Sequence, residues 1–470
     1  LCLVNIGNYL YIKLLKTNPI DLLWKNQPGY PKAKAFIHHV KYAGQSRESK
    51  IKLIQRKLKK ESIDYYLLTS LESIAWLLNI RGNDVKYTPL VISHLIIPSF
   101  GKLELFIDKR KIIKIRKKLT KKVNFHTFNN IYSFIKKIDR NNVVGLDINK
   151  TNFSLQEICI KNKLKLKFIE DPCIYLKAQK NKIEIIGAKK ANIRDGISII
   201  KFLYWLKNKK KITNTSEIKA SKYLHKIRKK NKLFYSLSFD TISAIDENAA
   251  LPHYRLNKKS NKIFNKNSIY LFDSGAQYFD GTTDITRTII LGKPTKEQKD
   301  RFTRVLKGHI ALATKKFSPY IKGSDLDKIA RKSLNQIGCD YDHGTGHGIG
   351  SFLSVHEGPQ RIAKKTGAQE SLIMENMILS NEPGFYKENE YGIRTENLVI
   401  VKKHNNSLFK FETISFAPFD IDLIEIKMLS SDEIKWINAY HKKIYSKVNN
   451  KLSKKEKQWL KTITKPIKID

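Results

Sequence analysis

The sequence predicts two domains: an α/β domain at the N-terminal end and an α+β domain behind it. The length of 470 residues exceeds what one ordinary hydrophobic core can organise. Up to about residue 171, apolar runs of strand length alternate with amphipathic stretches of helical period. Beyond residue 180 the pattern changes to long helical stretches, short strands and glycine turns. We therefore expect the boundary near residue 177.

The first domain is predicted to span residues 36–177. Residues 1–35 have no clear pattern, end in the joint NQPGYP, and are expected to be a linker or a remnant of another domain. An amphipathic helix is predicted at Ser46–Lys60 and a short helix at Leu71–Leu78. The β-rich runs predict strands at Asp64–Thr69, Leu90–Ile97, Leu103–Ile107 and Val143–Asp147.

The second domain is predicted to span residues 178–470. A long helix runs from about Lys180 towards Trp205, and a second opens behind the capping sequence NTSE at 214–217. Short strands and turns follow Phe239. Two further helices are predicted near Lys296–Lys316 and Gly323–Ile337, and residues 430–470 form a basic helical extension.

Composition excludes several classes of protein. The apolar fraction of 41% and the aromatic fraction of 10% are those of a foldable globular chain. No apolar run reaches the roughly 18 residues of a transmembrane helix, and the apolar N-terminus lacks the basic segment of a signal peptide. The cysteines are scattered without a CxxC pair, which argues against a disulfide framework and favours a cytoplasmic location: Cys2, Cys159, Cys173 and Cys339.

The net charge of +46 raises the possibility of nucleic-acid binding. Lysine is spread along the whole chain, as a uniform compositional bias would produce, and no motif interleaves basic and aromatic residues. Short basic clusters such as Lys117–Lys122 are typical of solvated surfaces. We therefore expect no specific nucleic-acid partner.

The candidate site consists of four carboxylates and one imidazole late in the chain: Asp273, Asp284, His347, Glu382 and Glu396. Hard oxygen donors with one nitrogen donor suit a pair of divalent metal ions, because carboxylates can bridge two cations. The set therefore predicts a metal-dependent hydrolase.

The two aspartates lie eleven residues apart, on the arms of a predicted hairpin. Asp280-Gly281 favours a tight turn between two apolar strands. The turn would bring Asp273 and Asp284 to one end of a site. Taken singly, either aspartate could instead cap a turn or lie at the surface.

Three further segments surround the other candidates. HGTGHGIG places His343 and His347 four residues apart among glycines, which permit close backbone approach. Glu382 is predicted at a strand end before a Pro-Gly turn. Glu396 is predicted in mid-strand on the same face as Arg394. A glutamate in an apolar strand is costly to bury unless it is paired or bound to metal, which favours a functional role.

Several segments of this domain resemble one known family: LPHYR, DSGAQYFDGTTDITRT, HGTGHGIGSFLSVHEGPQRI, LSNEPGFY and GIRTENLVIV. They resemble the metallopeptidases of the pita-bread fold, and most closely the larger, cytosolic-type aminopeptidase P (Xaa-Pro aminopeptidase) subgroup. DLLWKNQPGYP and SIAWLLNIRGNDVKYTP extend the resemblance to the front of the chain. It implies a creatinase/prolidase N-terminal-like α/β domain followed by a pita-bread catalytic domain.

The resemblance also implies a metal centre. Asp273 would chelate one metal ion, Asp284 and Glu396 would bridge two, and His347 and Glu382 would complete the second site. A metal-bridging water would attack the peptide carbonyl, with Glu382 as general base. Two Mn²⁺ ions are the expected cofactor, although Zn²⁺, Co²⁺ or Fe²⁺ could occupy such a site.

Substrate residues follow from the same resemblance. His253 and His356 would stabilise the scissile carbonyl and the tetrahedral state. His343 and Arg394 would line the proline pocket or hold the ligand shell. On sequence alone, His253 could instead be an ordinary loop histidine.

The implied substrates are peptides with proline in second position, and the implied assembly is a homodimer. A prolidase acting on Xaa-Pro dipeptides and a non-catalytic pita-bread binding protein remain alternatives. Methionine aminopeptidases fit less well, because a substantial α/β domain precedes the catalytic region. The family's larger members carry an additional front domain, of which we expect only the last stretch, around Leu1–Trp24, to be present.

Overall fold

The computed structural model describes residues 18–208, 212–365 and 370–468. Cys2 and the first 17 residues of the predicted linker at 1–35 lie outside these ranges. The described chain forms an N-terminal α/β domain and a C-terminal α+β domain, which confirms the predicted fold class. No helix within the described ranges is both long and apolar enough to cross a bilayer.

The N-terminal domain contains one mixed sheet covered by helices. Its helices are α1 Pro19–Leu23, α2 Val40–Ala43, α3 Arg47–Lys60, α4 Leu71–Leu78, α5 Lys109–Ile112, α6 Arg116–Leu119, α7 Ile131–Ile135, α8 Phe153–Lys161 and α9 Ile174–Ala178. Its strands are β1 Phe36–Ile37, β2 Tyr65–Leu68, β3 Ile80–Arg81, β4 Ser93–Pro98, β5 Leu103–Ile107, β6 Val123–His126, β7 Val143–Leu146 and β8 Lys165–Phe168.

The strand order of this sheet is β6-β5-β4-β2-β7-β8. β2 pairs with β4 in antiparallel and with β7 in parallel orientation. Because side chains alternate across a sheet, Leu68 and Leu95 contribute to the hydrophobic core on one face, whereas Leu67, Ile96 and Phe106 contribute to that on the other. Both faces are apolar, as expected for a sheet with helices on each side.

The C-terminal domain packs long helices around several antiparallel sheets. Its helices are α10 Lys182–Lys207, α11 Glu217–Lys229, α12 Lys296–Thr314, α13 Gly323–Asn335, α14 Ser431–Val448 and α15 Lys454–Ile463. Its strands are β9 Phe234–Leu237, β10 Ile242–Ile245, β11 Ser268–Ser274, β12 Ala276–Tyr278, β13 Gly281–Thr282, β14 Ile285–Leu291, β15 Lys316–Phe317, β16 Gly346–His347, β17 Arg361–Ile362, β18 Ile378–Asn381, β19 Gly384–Lys387, β20 Tyr391–Arg394, β21 Asn397–Lys403 and β22 Phe409–Thr413.

Two local predictions in this domain were wrong. The tight turn consists of Phe279 and Asp280 rather than Asp280-Gly281, because Gly281 already pairs with Tyr278. Glu396 lies between β20 and β21, not in mid-strand. The strand breaks there because the chain stops pairing with β19 and starts pairing with β18 and β22.

The two domains contact each other through buried polar and aromatic groups. The guanidinium group of Arg81 is buried and donates to the carbonyl oxygens of Phe352 (2.6 Å) and Ser351 (3.2 Å). The ring of Phe36 lies 6.1 Å from that of Phe279 and 6.3 Å from that of Phe352. The N-terminal domain therefore supports the loop that leads to His356.

Candidate metal centre

Asp273 and Asp284 are placed by a pair of antiparallel strands. β11 and β14 pair along their length, with Asp273 opposite Thr286. Asp273 lies near the end of β11, and Asp284 directly precedes β14. A Cβ atom on Gly275 would overlap the carbonyl oxygen of Thr283, so glycine is required for the two arms to approach this closely.

His347 is oriented by backbone contacts. Its Nδ1–H donates to the carbonyl oxygen of Gly348 (3.0 Å), which leaves the lone pair of Nε2 directed into the site. Nε2 lies 3.5 Å from a carboxylate oxygen of Asp284 and 3.3 Å from Oε1 of Glu382. Burial, with the nearby His356, lowers the pKa of His347 to about 3. The imidazole is therefore neutral near pH 7, as a metal ligand must be.

Glu382 and Glu396 lie at the ends of two paired strands: Glu382 follows β18, and Glu396 precedes β21. The N–H of Glu382 donates to the carbonyl oxygen of Thr345 (2.8 Å), and Oε1 accepts from Ser380 Oγ (2.9 Å). The N–H of Glu396 donates to the carbonyl oxygen of Thr286 (3.2 Å), and Oε2 accepts from Thr286 Oγ1 (2.8 Å). Each carboxylate is thus held in one orientation by a hydroxyl group and a backbone bond.

The donor set fits divalent cations. Ligand atoms of Asp284, His347 and Glu396 lie within 4.8 Å of one another. Among the described residues, buried carboxylate oxygens of Asp273, Asp284 and Glu396 have no hydrogen-bond partner. Buried polar atoms are normally satisfied, so unpaired carboxylate oxygens in one group of neighbouring acidic residues indicate a site for positive charge.

The carboxylates also repel one another. Burial and the charges of Asp273 and Glu382 raise the pKa of Asp284 well above its usual value. Burial and the charges of Asp284 and Glu382 likewise raise the pKa of Glu396 well above its usual value. Burial raises the pKa of Glu382 to about 8, although the neighbouring Arg394 lowers it. Bound cations would relieve this repulsion and keep the group ionised.

Arg394 and His343 lie beside the carboxylates. Nη2 of Arg394 donates to Asp273 (2.8 Å), and Nη1 donates to the hydroxyl group of Tyr386 (2.6 Å). The same hydroxyl group lies 2.8 Å from Nε2 of His343, whose Nδ1–H donates to the carbonyl oxygen of Gly344. Burial, with the charge of Arg394, lowers the pKa of His343 to about 3, so its ring is neutral.

The two remaining candidates, His253 and His356, are exposed side chains at the rim of a cavity of about 480 Å³. Asp273, Asp284, His343, His347, Glu382 and Arg394 also line this cavity. The ring of His356 stands perpendicular to that of His347, with centroids 4.2 Å apart. Glu396 does not line the cavity; its carboxylate lies behind it, against Asp284 and His347.

The sequence prediction missed Thr286 and Tyr386, which orient Glu396 and Arg394. A usable signal existed for Thr286, because it lies two residues after Asp284 in a strand and so shares its face. Tyr386 could have been inferred from the hairpin of β19 and β20, in which Gly384 pairs with Arg394. Phe239, Ile242 and Arg361 of the cavity wall carried no comparable signal.

Family models match nearly the whole described chain. The model of metallopeptidase family M24 matches residues 187–403, and that of the creatinase/prolidase N-terminal domain matches residues 26–184. The model of the C-terminal region of M24 peptidases matches residues 407–467.

Individual relatives agree with these matches. Xaa-Pro aminopeptidase 1 of Dictyostelium discoideum is 37% identical, over 94% of this chain and 72% of its own length. A probable Xaa-Pro aminopeptidase P of Paracoccidioides brasiliensis is 36% identical, over 96% and 77%. The crystal structure of X-prolyl aminopeptidase from Caenorhabditis elegans, described as a cytosolic enzyme with a di-nuclear active site, superposes with a TM-score of 0.90 at 32% identity, covering 96% of this chain and 76% of that one.

Proposed function

The chain belongs to metallopeptidase family M24, and on that premise we propose that it is an Xaa-Pro aminopeptidase, which releases the N-terminal residue of peptides with proline in second position. The observation that carries the proposal is the convergence of Asp273, Asp284, His347, Glu382 and Glu396 in and directly behind one open cavity. The relatives at 36–37% identity are named for the same activity.

Two divalent cations are the proposed cofactor, with Mn²⁺ as the first choice because the site is rich in oxygen and has one imidazole. Asp273 would hold one cation, His347 and Glu382 the other, and Asp284 and Glu396 both. When bound, such cations supply an activated water and polarise the scissile carbonyl group. The C. elegans relative, with its di-nuclear active site, supports this stoichiometry.

Glu382 is the proposed general base, which takes a proton and passes one to the leaving proline nitrogen. Its position supports this role, because it lines the cavity, whereas Glu396 does not. The Ser380 hydroxyl group and the backbone bond to Thr345 fix the direction of its carboxylate. A fixed carboxylate keeps the proton transfer short in every turnover.

The histidines around the cavity are proposed to contact the peptide. His253 and His356 lie at the rim, where they could donate to the scissile carbonyl group as negative charge develops on its oxygen. His343 and Arg394 both form a hydrogen bond with the hydroxyl group of Tyr386. This hydrogen-bonded group would lie beside the proline ring of the substrate. Arg394 additionally orients Asp273 through its bond of 2.8 Å.

The nearest alternative is an Xaa-Pro dipeptidase. A prolidase of Thermococcus sibiricus superposes with a TM-score of 0.66 at 23% identity, and at that distance the likeness concerns the fold alone. A peptide panel separates the two activities. We expect Mn²⁺-dependent release of arginine from Arg-Pro-Pro peptides and little action on Xaa-Pro dipeptides.

The variants Asp284→Ala and Glu382→Ala should abolish cleavage. Glu388→Ala is the matched control, since Glu388 is an exposed glutamate in the turn between β19 and β20, six residues after Glu382. Full activity of Glu382→Ala, or activity in the absence of any metal, would overturn the proposal. Inert protein that retains RNA at physiological salt would favour the non-catalytic alternative.

Three further points belong to the same proposal. A cytoplasmic location is supported by the C. elegans relative, which is described as cytosolic.

A homodimer is expected from the family resemblance and would be tested by light scattering. The division into a linker at 1–35, a domain at 36–177 and a catalytic domain at 178–470 would be tested by limited proteolysis.

A further inference from the structure

A second cavity of about 810 Å³ adjoins the first and shares Ile242 and His253 with it. We call it the exit groove. Its walls come from α11, from the segment at 237–242, from the loop around residue 254 and from Tyr87 of the N-terminal domain. It is therefore a continuation of the candidate active site towards the domain boundary.

The helix α11 presents a cation to this groove. Its buried face includes Glu217 in the first turn, followed by Ala220, Leu224 and Arg228 at intervals of four residues. Lys222 and His225, three residues apart, therefore share the opposite face and are both exposed. Burial of α11 against the core thus fixes the direction in which Lys222 points.

The loop at residues 253–255 presents a second cation. Tyr254, in the middle of this loop, is buried; its hydroxyl group donates to Glu217 (3.1 Å) and lies 2.8 Å from the hydroxyl group of Ser260. With Tyr254 anchored, its neighbours His253 and Arg255 are both directed outward. Arg255 therefore lies in the groove beside a proposed catalytic histidine.

The groove carries uncompensated positive charge. Its one acidic side chain among the described residues, Asp240, is already engaged by Lys86 (3.2 Å) and by the Tyr87 hydroxyl group. Neither Lys222 nor Arg255 forms an ion pair with any described residue. Among the described residues, Lys222 and Arg255 are therefore cations without an ion pair, in a groove whose one lining carboxylate already has partners.

We propose that the exit groove binds the part of the peptide that follows the proline and prefers a carboxylate there, supplied by an acidic side chain or by the C-terminus. This inference rests on the proposed function, because an aminopeptidase must hold the longer product outside the reacting centre. The groove is the open extension of the cavity at His253, and Lys222 and Arg255 are the groups that would recognise the carboxylate.

The expected effect is moderate and appears in KM. An ion pair at an exposed site changes binding by roughly two- to fivefold. The carboxylate lies far from the reacting bond, so it should stabilise bound substrate and transition state equally, leaving kcat unchanged. The preference should weaken as salt screens the charges.

The test compares amidated peptides Arg-Pro-Ala-Xaa-Ala, where Xaa is Glu, Gln or Lys. The wild-type enzyme should show the lowest KM for Glu and the highest for Lys. Lys222→Glu and Arg255→Glu should reverse this order, whereas Lys226→Glu, an exposed lysine of α11 outside the groove, should leave it intact. Circular dichroism and thermal unfolding establish that each variant is folded.

A second arm distinguishes the two sources of the carboxylate. Arg-Pro-Ala with a free C-terminus is compared with its amide, and a lower KM for the free acid identifies the terminus as a ligand. Equal KM values across both series, with cleavage intact, would overturn the inference and leave the proposed function standing. Failure to cleave any of these peptides would instead overturn the proposed function.

Discussion

Replacing Glu357 by glutamine should destabilise the protein strongly, although the change removes only a charge. Glu357 directly follows His356 and is buried. Its carboxylate contacts the ammonium groups of Lys180 (2.5 Å) and Lys177 (2.9 Å). The side chain of Lys180 is 0% exposed and that of Lys177 5%, so neither can be solvated after the substitution.

The magnitude follows from these contacts. At an effective dielectric constant of about 20, each contributes about 6 kcal/mol of Coulomb attraction. Glutamine would retain hydrogen bonds worth about 1 kcal/mol each, and the nearby Glu184 would offset part of the charge of Lys180. Removal of one partner from a buried pair typically costs about 3–5 kcal/mol, and we expect the free energy of unfolding to fall by that amount.

Urea unfolding followed by tryptophan fluorescence measures this loss. Glu412→Gln is the matched control, because Glu412 pairs with Lys189 (2.7 Å) at a site where both side chains are about one-third exposed. We expect Glu412→Gln to lower the free energy of unfolding by less than about 1 kcal/mol. Equal losses for the two variants would refute the argument from burial.

The effect should also depend on pH. Burial by itself would raise the pKa of Glu357, but the charges of Lys177 and Lys180 hold it below its usual value. A lowered carboxylate pKa contributes stability that is fully present above the unfolded-state value of about 4.3 and is lost as pH falls through the folded-state value. The difference between wild type and Glu357→Gln should therefore be complete at pH 7 and shrink below about pH 4.

Further predictions concern the metal centre and the packing behind it. Mn²⁺ at about 100 times its Kd should stabilise the wild-type protein by about 2.7 kcal/mol and raise its Tm, but should leave the Tm of Asp284→Ala unchanged. An equal rise in Tm for both proteins would contradict the assignment of Asp284 as a metal ligand. Gly187→Ala should lower the free energy of unfolding by about 1–3 kcal/mol, because its Cβ atom would overlap a backbone carbonyl oxygen, whereas Gly29→Ala meets nothing within 4 Å. Arg228→Met should cost about 3–5 kcal/mol in urea unfolding because it strips the buried Asp195 of both its bonds of 2.8 Å, and adding Asp195→Leu should recover part of the loss.

Elements governed by local signals could be predicted closely. The helix at Leu71–Leu78 begins and ends where the sequence predicts, and the strand at Leu103–Ile107 does as well. The helix predicted at Lys296–Lys316 starts behind a capping box at Thr295 but ends at Thr314, because Lys316 already pairs with Lys410 in a sheet. Capping and periodicity are encoded locally, whereas this end is set by a strand almost a hundred residues away.

The residues of the candidate site also differ in whether local sequence or distant contacts determine their positions. Spacing and residue type were enough to select the five candidate ligands, and the structure brings their segments together. The position of Glu396 was predicted less well, since the break between β20 and β21 depends on which strands lie beside it. Thr286 and Tyr386 act through hydrogen bonds to Glu396 and Arg394; the shared strand face indicates where Thr286 lies but not which residue it contacts.

The interface around Arg81 makes the N-terminal domain a structural support of the C-terminal one. Without it, the carbonyl oxygens of Ser351 and Phe352 would lose their buried donors, and the rings of Phe279 and Phe352 would face water. A protein cut at residue 180 would also separate Lys177 from Glu357. The two domains thus depend on each other structurally: replacing the N-terminal domain by an unrelated one would require compensating changes at residues 351–357 to keep the loop that ends at His356 in place.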